Sequence, residues 1–317
     1  MWEMEAKSLG DFLLIYEKFA TSEIKSRRSI ESVAGAVKDF TRFLGKCGDI
    51  KRVEAEDLRR YIRNLQKRPC WSNHPTINPN KRKLSPHSIA SYVRSIRTFW
   101  SWLSKEGFIE DNPFAKVRVP KAPRKVVNPF TTDQISRLLK VIPKKIAEGY
   151  RDYTIIITLY GTGLRIQELL DLRLNDVNLE SGQIKVMGKG ARERYVYMSP
   201  TVYKVIFRYL NRWRPKVHCD YLFVHDNGQP LSRYYVAHRM QRYGRKAGIT
   251  GVRCSPHTLR YSFAVNYLRN GGDTFTLQRI LGHSTLDMTR HYAEVANSDV
   301  ERRMKAFSPI ESLRLGD

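Results

Sequence analysis

A proline-rich, basic segment constrains this chain most, because it prevents the chain from folding as one continuous unit. Residues 117–130, VRVPKAPRKVVNPF, contain three prolines and four cations and have no apolar period. Proline removes a backbone donor and interrupts helices and central strands. We therefore predict a basic linker at 121–130 between two domains, 1–120 and 131–317, each long enough for its own hydrophobic core.

The chain carries far more positive charge than solubility requires. It has 56 lysines and arginines against 31 acidic residues, a formal net charge of +25 and a pI near 10. Such a surface favours polyanions, and therefore nucleic acid, although the sign of the charge does not separate DNA from RNA. In the linker, Lys121, Arg124 and Lys125 fit both a strap across a phosphate backbone and an ordinary solvated connection, and we include them among the candidate DNA contacts.

The cysteines and the hydropathy pattern exclude several classes of protein. The four cysteines lie far apart and include no CxxC pair, which argues against a disulfide framework or a zinc ribbon, and we predict no metal site. No apolar run approaches the ~20 residues of a membrane span, and the N-terminus lacks the pattern of a signal peptide. We expect a cytoplasmic protein associated with the nucleoid.

The first domain has the apolar period of helices. After three amphipathic segments and a proline- and asparagine-rich loop at 69–83, Ser85 and Pro86 open a further helix as its cap and first residue. The predicted outer face of this helix mixes short hydroxyls with arginines, which suits close approach to a DNA backbone. That face consists of Ser88, Ser91, Arg94, Ser95, Arg97 and Thr98, of which we select Arg94 and Arg97 as DNA contacts.

The second domain is helical in pattern, with one small β element. Residues 153–160 are almost continuously apolar, and the following GTGLRIQELLDLRLNDVNL keeps a helical register through Leu174, so we predict helices for both. Residues 183–198, QIKVMGKGARERYVYM, alternate apolar and polar side chains around two glycines and predict a β-hairpin. The predicted fold class is mainly α with a small β-hairpin or sheet (α+β).

Two arginines are candidates for holding a phosphate. Arg165 follows a glycine break and lies among apolar neighbours, where a charge is costly unless an anion meets it, and Arg260 lies three residues after His257. Arginine suits the charge that develops on phosphate oxygens, because its guanidinium is planar and always protonated. A salt bridge from Arg165 to Glu168 or Asp171 is the competing structural interpretation.

Two histidines accompany these arginines. His257 occupies the first turn of a helix opened by Ser255 and Pro256, where it can donate to a phosphate oxygen or handle a proton. His283 lies in the sequence LGHST, where a turn residue bonded to the backbone is an equally good interpretation. Neither histidine is diagnostic by itself.

A lysine and a tyrosine complete the candidate site. Lys189 lies between two glycines near the tip of the predicted hairpin, with Arg192 close by, and can reach a DNA groove or protonate a departing oxygen; a solvated turn lysine is the plain alternative. Tyr292 is one of seventeen tyrosines. A phenol has a pKa of about 10 and becomes a useful nucleophile at neutral pH only where cations stabilise the phenolate.

Taken together, these motifs resemble those of the tyrosine recombinases, or integrase family, and most closely its Xer-like members. The resemblance covers about 131–300 and is carried by five motifs that hold Arg165, Lys189, His257 with Arg260, His283 and Tyr292. They are GTGLRIQEL, GKGARER, SPHTLRYSFA, LGHS and HY. Tyr261 stands where many relatives carry a second histidine, a position that is not catalytic in the family. The helical first domain resembles the family's core-binding domain only in position and pattern.

The resemblance implies a mechanism. Tyr292 would attack a scissile phosphate to form a 3′-phosphotyrosyl bond, while Arg165, Arg260, His257 and His283 hold the phosphate and Lys189 protonates the departing 5′ oxygen. No cofactor is implied. Strand exchange through a Holliday junction implies a homotetramer on two DNA sites with inverted repeats, and the tail at 299–307 is a candidate helix for docking on a neighbouring subunit.

Two other classes of function remain open from the sequence. A type IB topoisomerase-like nicking and closing enzyme shares the nucleophile but works as a monomer without a defined pair of sites. A DNA-binding regulator could keep the fold and lose the chemistry, although all six catalytic residue types are present here.

Overall fold

The chain forms two compact units, Met1–Lys125 and Val126–Asp317. The computed structural model describes residues 8–45, 50–70, 72, 82–123, 127–188 and 193–296, together with positions 304 and 308. The mainly α fold class with a small sheet is confirmed. Most of the predicted tail helix at 299–307 and most of the loop at 69–83 lie outside the described residues. In the described part of the chain, no helix combines the length and apolarity needed to cross a bilayer.

The first unit is built from helices that pack around an aromatic core. Serine side chains cap three of them by accepting a backbone N–H of the first turn, as the sequence predicts at Ser85. The core includes Trp100, Phe40, Phe99 and Tyr61, all fully buried, with several ring pairs meeting edge to face. The helices are α1 Leu9–Ser22, α2 Arg27–Leu44, α3 Ala55–Lys67 and α4 Pro86–Lys105.

The outer face predicted for α4 is correct except at one position. Ser95 is buried, and its hydroxyl lies 3.5 Å from that of Ser32 on α2, so it belongs to the helix–helix contact rather than to the outer face. Arg94 is exposed. Arg97 is half-buried and donates to the carbonyl oxygen of Ala115 at 3.2 Å. Ser95 is buried because α2 packs against it, and the spacing of residues in the sequence cannot reveal that neighbour.

The second unit combines helices with a three-stranded antiparallel sheet in the order β1-β2-β3. Its helices are α5 Thr132–Lys140, α6 Ala147–Thr162, α7 Ile166–Leu170, α8 Pro200–Arg208, α9 Arg233–Lys246, α10 Pro256–Arg269, α11 Thr274–Leu281 and α12 Asp287–Ala296, and a π-helical turn, Tyr209–Trp213, extends α8. The strands are β1 Val177–Asn178, β2 Gln183–Met187 and β3 Glu193–Tyr197.

The predicted helix after the glycine break is too long. The α-helix ends at Leu170, because the next residues form backbone hydrogen bonds with a distant segment. Leu222 donates to the carbonyl oxygen of Leu172 at 2.8 Å, and Leu174 donates to that of Asp220 at 2.8 Å. A short 3₁₀ turn, Leu174–Asp176, then leads into β1, a strand that the sequence did not predict.

The predicted hairpin is present as β2 and β3, with Ile184 opposite Val196 and Val186 opposite Arg194. Ile184, Val186 and Val196 are buried, so one face of the sheet packs on the core. Arg194 lies on this inward face. Side chains alternate along a strand, and its guanidinium therefore points toward the helices rather than toward solvent.

Candidate active site

Arg260 is the buried centre of the site. It lies in the first half of α10, which begins at Pro256 behind the Ser255 cap. Its Nη1 donates to the carbonyl oxygen of Gly163 at 2.6 Å and its Nη2 to that of Leu281 at 2.8 Å. These carbonyls stand at the C-terminal ends of α6 and α11, where unsatisfied acceptors and the helix dipole favour a cation.

Arg165 joins Arg260 at the same carbonyl. It is the residue before α7, and its Nη1 donates to the Leu281 carbonyl at 3.3 Å and to Oε1 of Glu168 at 2.7 Å. The structure therefore contains the salt bridge to Glu168 that the sequence offered as an alternative. It also places Arg165 beside Arg260, so the ion pair and the arginine cluster coexist.

Glu168 holds three arginines together and was not predicted as a site residue. Both of its oxygens accept from Arg194, at 3.1 and 2.7 Å, in a bidentate pair, and its Oε2 also accepts the backbone N–H of Arg165 at 2.8 Å. Nη1 of Arg260 lies 3.9 Å from Oε2. Burial raises the pKa of Glu168, but the hydrogen bonds from Arg194 and from the Arg165 backbone outweigh it and hold the pKa below the ordinary glutamate value.

Arg194 links the sheet to the helix ends. Besides the pair with Glu168, its Nε donates to the carbonyl oxygen of Ile280 at 3.0 Å. Arg194 belongs to the GKGARER motif but was not predicted as a site residue. Strand alternation could have predicted its position. Arg194 is two residues before the buried Val196, so both side chains lie on the same face of the hairpin.

Two glycines permit this close arrangement. Gly163 ends α6 at φ +67°, and an added Cβ would lie 2.4 Å from the ring of Phe263. Gly282 ends α11 at φ +62°, and an added Cβ would lie 3.0 Å from the guanidinium of Arg194. At both positions the left-handed backbone and the lack of space favour glycine.

The cluster carries a net positive charge. Three guanidinium groups surround one carboxylate, which leaves a net charge of +2 in a largely buried region. Burial, followed by repulsion from Arg165, lowers the pKa of Arg260 to about 10. An anion placed between the arginines would relieve this repulsion.

His283 and Tyr292 complete the cluster. Nε2 of His283 lies 3.1 Å from Nη2 of Arg260, and its Nδ1 lies 2.9 Å from Oγ1 of Thr289. Tyr292 is 9% exposed on α12, and its ring lies nearly parallel to that of His283, 6.0 Å away between centroids. Burial, with Arg260 and Arg165 next, lowers the pKa of His283 to about 4, so its imidazole is neutral at pH 7.

The remaining predicted residues are placed differently. His257 is exposed in the first turn of α10, one turn before Arg260. Nearby protein partly displaces water from its ring, and this desolvation, followed by repulsion from Arg260 and Arg253, lowers its pKa. Lys121 is exposed in the first unit. Lys189, Arg192, Arg124 and Lys125 lie outside the described residues. Among the residues that the structure describes, no group of three or more His, Cys, Asp or Glu side chains could hold a metal ion.

We expect Glu168→Gln to destabilise the protein strongly. The substitution removes the only carboxylate that the described residues place between Arg165, Arg194 and Arg260, so buried positive charge is left without a counter-charge. The cost of breaking such a pair is about 3 to 5 kcal/mol. Urea unfolding followed by intrinsic fluorescence measures it.

The matched control for Glu168→Gln is Asp171→Asn, three residues further on, because Asp171 is exposed and accepts from Gln167. We expect it to change stability by less than about 0.5 kcal/mol.

The advantage of wild type over Glu168→Gln also depends on pH. Because folding lowers the pKa of Glu168, the unfolded chain takes up a proton on this carboxylate first as the pH falls. The advantage of wild type over Glu168→Gln is thus present at neutral pH and is lost as the pH falls through the lowered pKa. Equal unfolding curves for both variants at pH 7 would contradict this account.

The chain matches the model of the phage integrase family over residues 128–299, slightly more than half of its length. It is 34% identical over 229 residues to the tyrosine recombinase XerD of Staphylococcus haemolyticus, covering 71% of this chain and 77% of the relative. It is 29% identical over 292 residues to XerD of Listeria innocua, covering 86% and 98%. The fold is similar to that of the Tn1549 transposon integrase in complex with circular intermediate DNA, at a TM-score of 0.72 and 21% identity over 95% and 99% of the two chains.

The chain therefore belongs to the phage integrase family. Within that family it is a Xer-like tyrosine site-specific recombinase, which recombines DNA through a covalent protein–DNA intermediate. The resemblance predicted from the motifs is confirmed.

Proposed function

We propose that Tyr292 is the nucleophile and that Arg165, Arg260 and His283 hold the scissile phosphate while it attacks. The observation that carries this proposal is the chain of contacts among the four side chains. Arg165 and Arg260 share the Leu281 carbonyl, Arg260 contacts His283, and His283 stacks on Tyr292. The net charge of +2 around Glu168 matches the demand of a phosphodiester that gains negative charge as it is attacked.

The proposed reaction exchanges one phosphodiester for another. The phenolic oxygen of Tyr292 forms a bond to phosphorus and loses its proton, while the bond from phosphorus to the 5′ oxygen breaks and that oxygen gains a proton. The products are a 3′-phosphotyrosyl bond and a free 5′-hydroxyl. A 5′-hydroxyl from the partner strand then reverses the step, so the bond energy is retained and no nucleotide cofactor is consumed.

We assign the remaining roles from the family motifs. Lys189, in GKGARER, is the proposed acid for the departing 5′ oxygen. His257 is the proposed further donor to the phosphate, and its place one turn before Arg260 on α10 supports this role. A neutral imidazole at His257 can still donate one N–H to a phosphate oxygen.

We propose that the first domain, 1–120, grips DNA and that the second, 131–317, cuts it, with the basic segment 121–130 between them. The proposed backbone contacts are Arg94, Arg97, Lys121, Arg124, Lys125 and Arg192. The exposure of Arg94 and Lys121 supports their part in this set. Since half or more of the hydrogen bonds to DNA usually reach phosphate and sugar, these residues would set position rather than sequence preference.

The proposed assembly is a homotetramer on two DNA sites with inverted repeats, which exchanges strands through a Holliday junction. Two duplexes have four strands to cut, and one nucleophile per subunit then requires four subunits. Solved relatives include XerH bound to a palindromic difH substrate, which supports a symmetric site. We place this activity at the nucleoid, in the cytoplasm, because its proposed substrate is found there.

Peptide mapping of the adduct tests the proposed nucleophile. The wild-type protein is incubated with a nicked suicide substrate, which traps the covalent intermediate, and the adduct is digested with trypsin. Cleavage after Arg290 and Arg302 releases the peptide 291–302, HYAEVANSDVER, with Tyr292 as its only tyrosine. We expect the DNA remnant on this peptide.

The same digest separates the neighbouring tyrosines. Tyr261 and Tyr267 fall together on the peptide 261–269, YSFAVNYLR. The ring of Tyr261 lies 5.4 Å from that of Tyr292, so it is the strongest competitor by position. A DNA remnant on 261–269 would show that the nucleophile is misassigned.

A further inference from the structure

The contacts of His283 determine which ring nitrogen carries its hydrogen. A guanidinium has only donors, so Nε2 of His283 accepts from Arg260 across 3.1 Å. In a neutral imidazole the hydrogen is then on Nδ1, which donates to Oγ1 of Thr289 across 2.9 Å. The ring is thus held between an arginine on α10 and a hydroxyl on α12.

Thr289 is not on the surface of the protein. It is fully buried in the first turn of α12, and its backbone N–H donates to the carbonyl oxygen of Leu286 at 2.8 Å. It lies three residues before Tyr292, so both side chains are on the same face of the helix. Thr289, Tyr292 and Ala296 are the buried residues of α12, which packs on α10 and α11.

We propose that Thr289 is a positioning residue whose hydroxyl fixes the ring of His283, so that the phosphate site is complete only when the helix carrying Tyr292 is docked. This inference rests on the proposed role of Tyr292. Docking of α12 would then place the nucleophile Tyr292 and orient His283 for the phosphate at the same time. If α12 separated from α10, Nδ1 of His283 would lose its hydrogen-bond acceptor, and the imidazole would lose the stacked ring of Tyr292.

A hydroxyl suits this position because it can accept or donate. In the structure Nε2 of His283 accepts from Arg260, but a phosphate oxygen at that nitrogen would have no hydrogen to offer. Nε2 must then carry the hydrogen, and in the neutral ring Nδ1 becomes an acceptor. The Thr289 hydroxyl can turn and donate to it. The number of protons on the ring is unchanged, and the ring keeps its partner in both forms.

The test compares Thr289→Val with Thr289→Ser. Valine keeps the shape and burial of threonine without the hydroxyl, whereas serine keeps the hydroxyl. Loss of the partner that orients a metal-bound imidazole typically costs about 10- to 100-fold, and we take the same range for an imidazole that holds a phosphate. We expect Thr289→Val to cleave the suicide substrate that much more slowly than wild type, and Thr289→Ser to stay within about threefold of it.

Thr154→Val is the matched control for loss of a buried hydroxyl. Thr154 is also fully buried in a helix of this unit, but its hydroxyl donates to the backbone carbonyl of Tyr150. We expect Thr154→Val to cleave at the wild-type rate. Thermal unfolding and DNA binding of both valine variants are compared with wild type. These measurements distinguish a specific loss of cleavage activity from a loss of folded protein.

A second readout follows the hydrogen bond at Nδ1 of His283 directly. Nitrogen-15 NMR of the histidine rings, with His283 assigned by His283→Gln, should show Nδ1 protonated and Nε2 unprotonated in the free wild-type protein. Thr289→Val should shift the Nδ1 signal, because its hydrogen loses the Thr289 acceptor while Arg260 still keeps Nε2 an acceptor, and Thr289→Ser should leave that signal unchanged. A Thr289→Val protein with an unchanged cleavage rate and unchanged ring shifts overturns the inference.

The outcomes also separate this inference from the proposed function. The ring shifts of His283 are measured in the free protein and do not depend on which tyrosine attacks DNA. If the adduct maps to another tyrosine while the Thr289→Val ring shifts change as expected, the nucleophile is wrong and the His283–Thr289 contact stands. If it maps to Tyr292 and the shifts do not change, only the role of Thr289 fails.

Discussion

Tyr292→Phe should abolish the covalent protein–DNA adduct on a nicked suicide substrate and leave DNA binding close to wild type. Phenylalanine keeps the ring that packs between Tyr261 and His283, at 5.4 and 6.0 Å between centroids, but removes the oxygen that would bond to phosphorus. No other atom of the side chain can replace it. We therefore expect loss below detection on a denaturing gel, with an unchanged dissociation constant in a mobility-shift assay.

Tyr261→Phe is the matched control for Tyr292→Phe. Tyr261 is also buried, and its ring contacts Tyr292, so the control makes the same chemical change next to the proposed nucleophile. We expect it to form the adduct at close to the wild-type rate. If Tyr292→Phe still formed a covalent adduct, the site would use another nucleophile. If Tyr261→Phe alone lost the adduct, that nucleophile would be Tyr261.

The sequence predicted the members of the cluster because each residue type has a recognisable setting along the chain. Arg165 stands after a glycine break, Arg260 follows a capped helix start, and His283 and Tyr292 are nine residues apart. In the structure, carbonyl groups at the ends of α6 and α11 hold the two arginines together, His283 contacts Arg260, and Tyr292 stacks on His283. The resemblance to a known family supplied what spacing alone could not, namely that segments more than a hundred residues apart meet at one place.

Residues that act through another side chain escaped the sequence reasoning. Glu168, Arg194 and Thr289 touch the predicted cluster from α7, β3 and α12, and their partners are fixed only by packing. Thr289 gave no signal, because a threonine in an amphipathic helix is ordinary.

The dependence on packing also explains two errors in the predicted fold. Ser95 looks solvent-facing until α2 covers it, and the helix after Arg165 looks longer until the chain pairs with Asp220 and Leu222.

Arg165 illustrates why two interpretations of one residue need not compete. The salt bridge to Glu168 spans three residues and forms within the cap of α7. Because Glu168 also pairs with Arg194, it does not neutralise either arginine fully. The ion pair therefore orients Arg165 beside Arg260 while the cluster keeps its positive charge for an anion.

Arg260→Lys should lower the rate of adduct formation by about 100- to 1,000-fold, the typical cost of losing one donor to a transition-state oxygen. Lysine keeps the charge, but one nitrogen cannot occupy the positions from which Arg260 reaches the Gly163 and Leu281 carbonyls and also face a phosphate. Single-turnover cleavage on the suicide substrate measures the loss. Arg269→Lys, an exposed position on the same helix, is the control and should cleave normally. A normal rate for Arg260→Lys would mean that a point charge is sufficient there and that the fork of Arg260 serves only to hold α6 and α11.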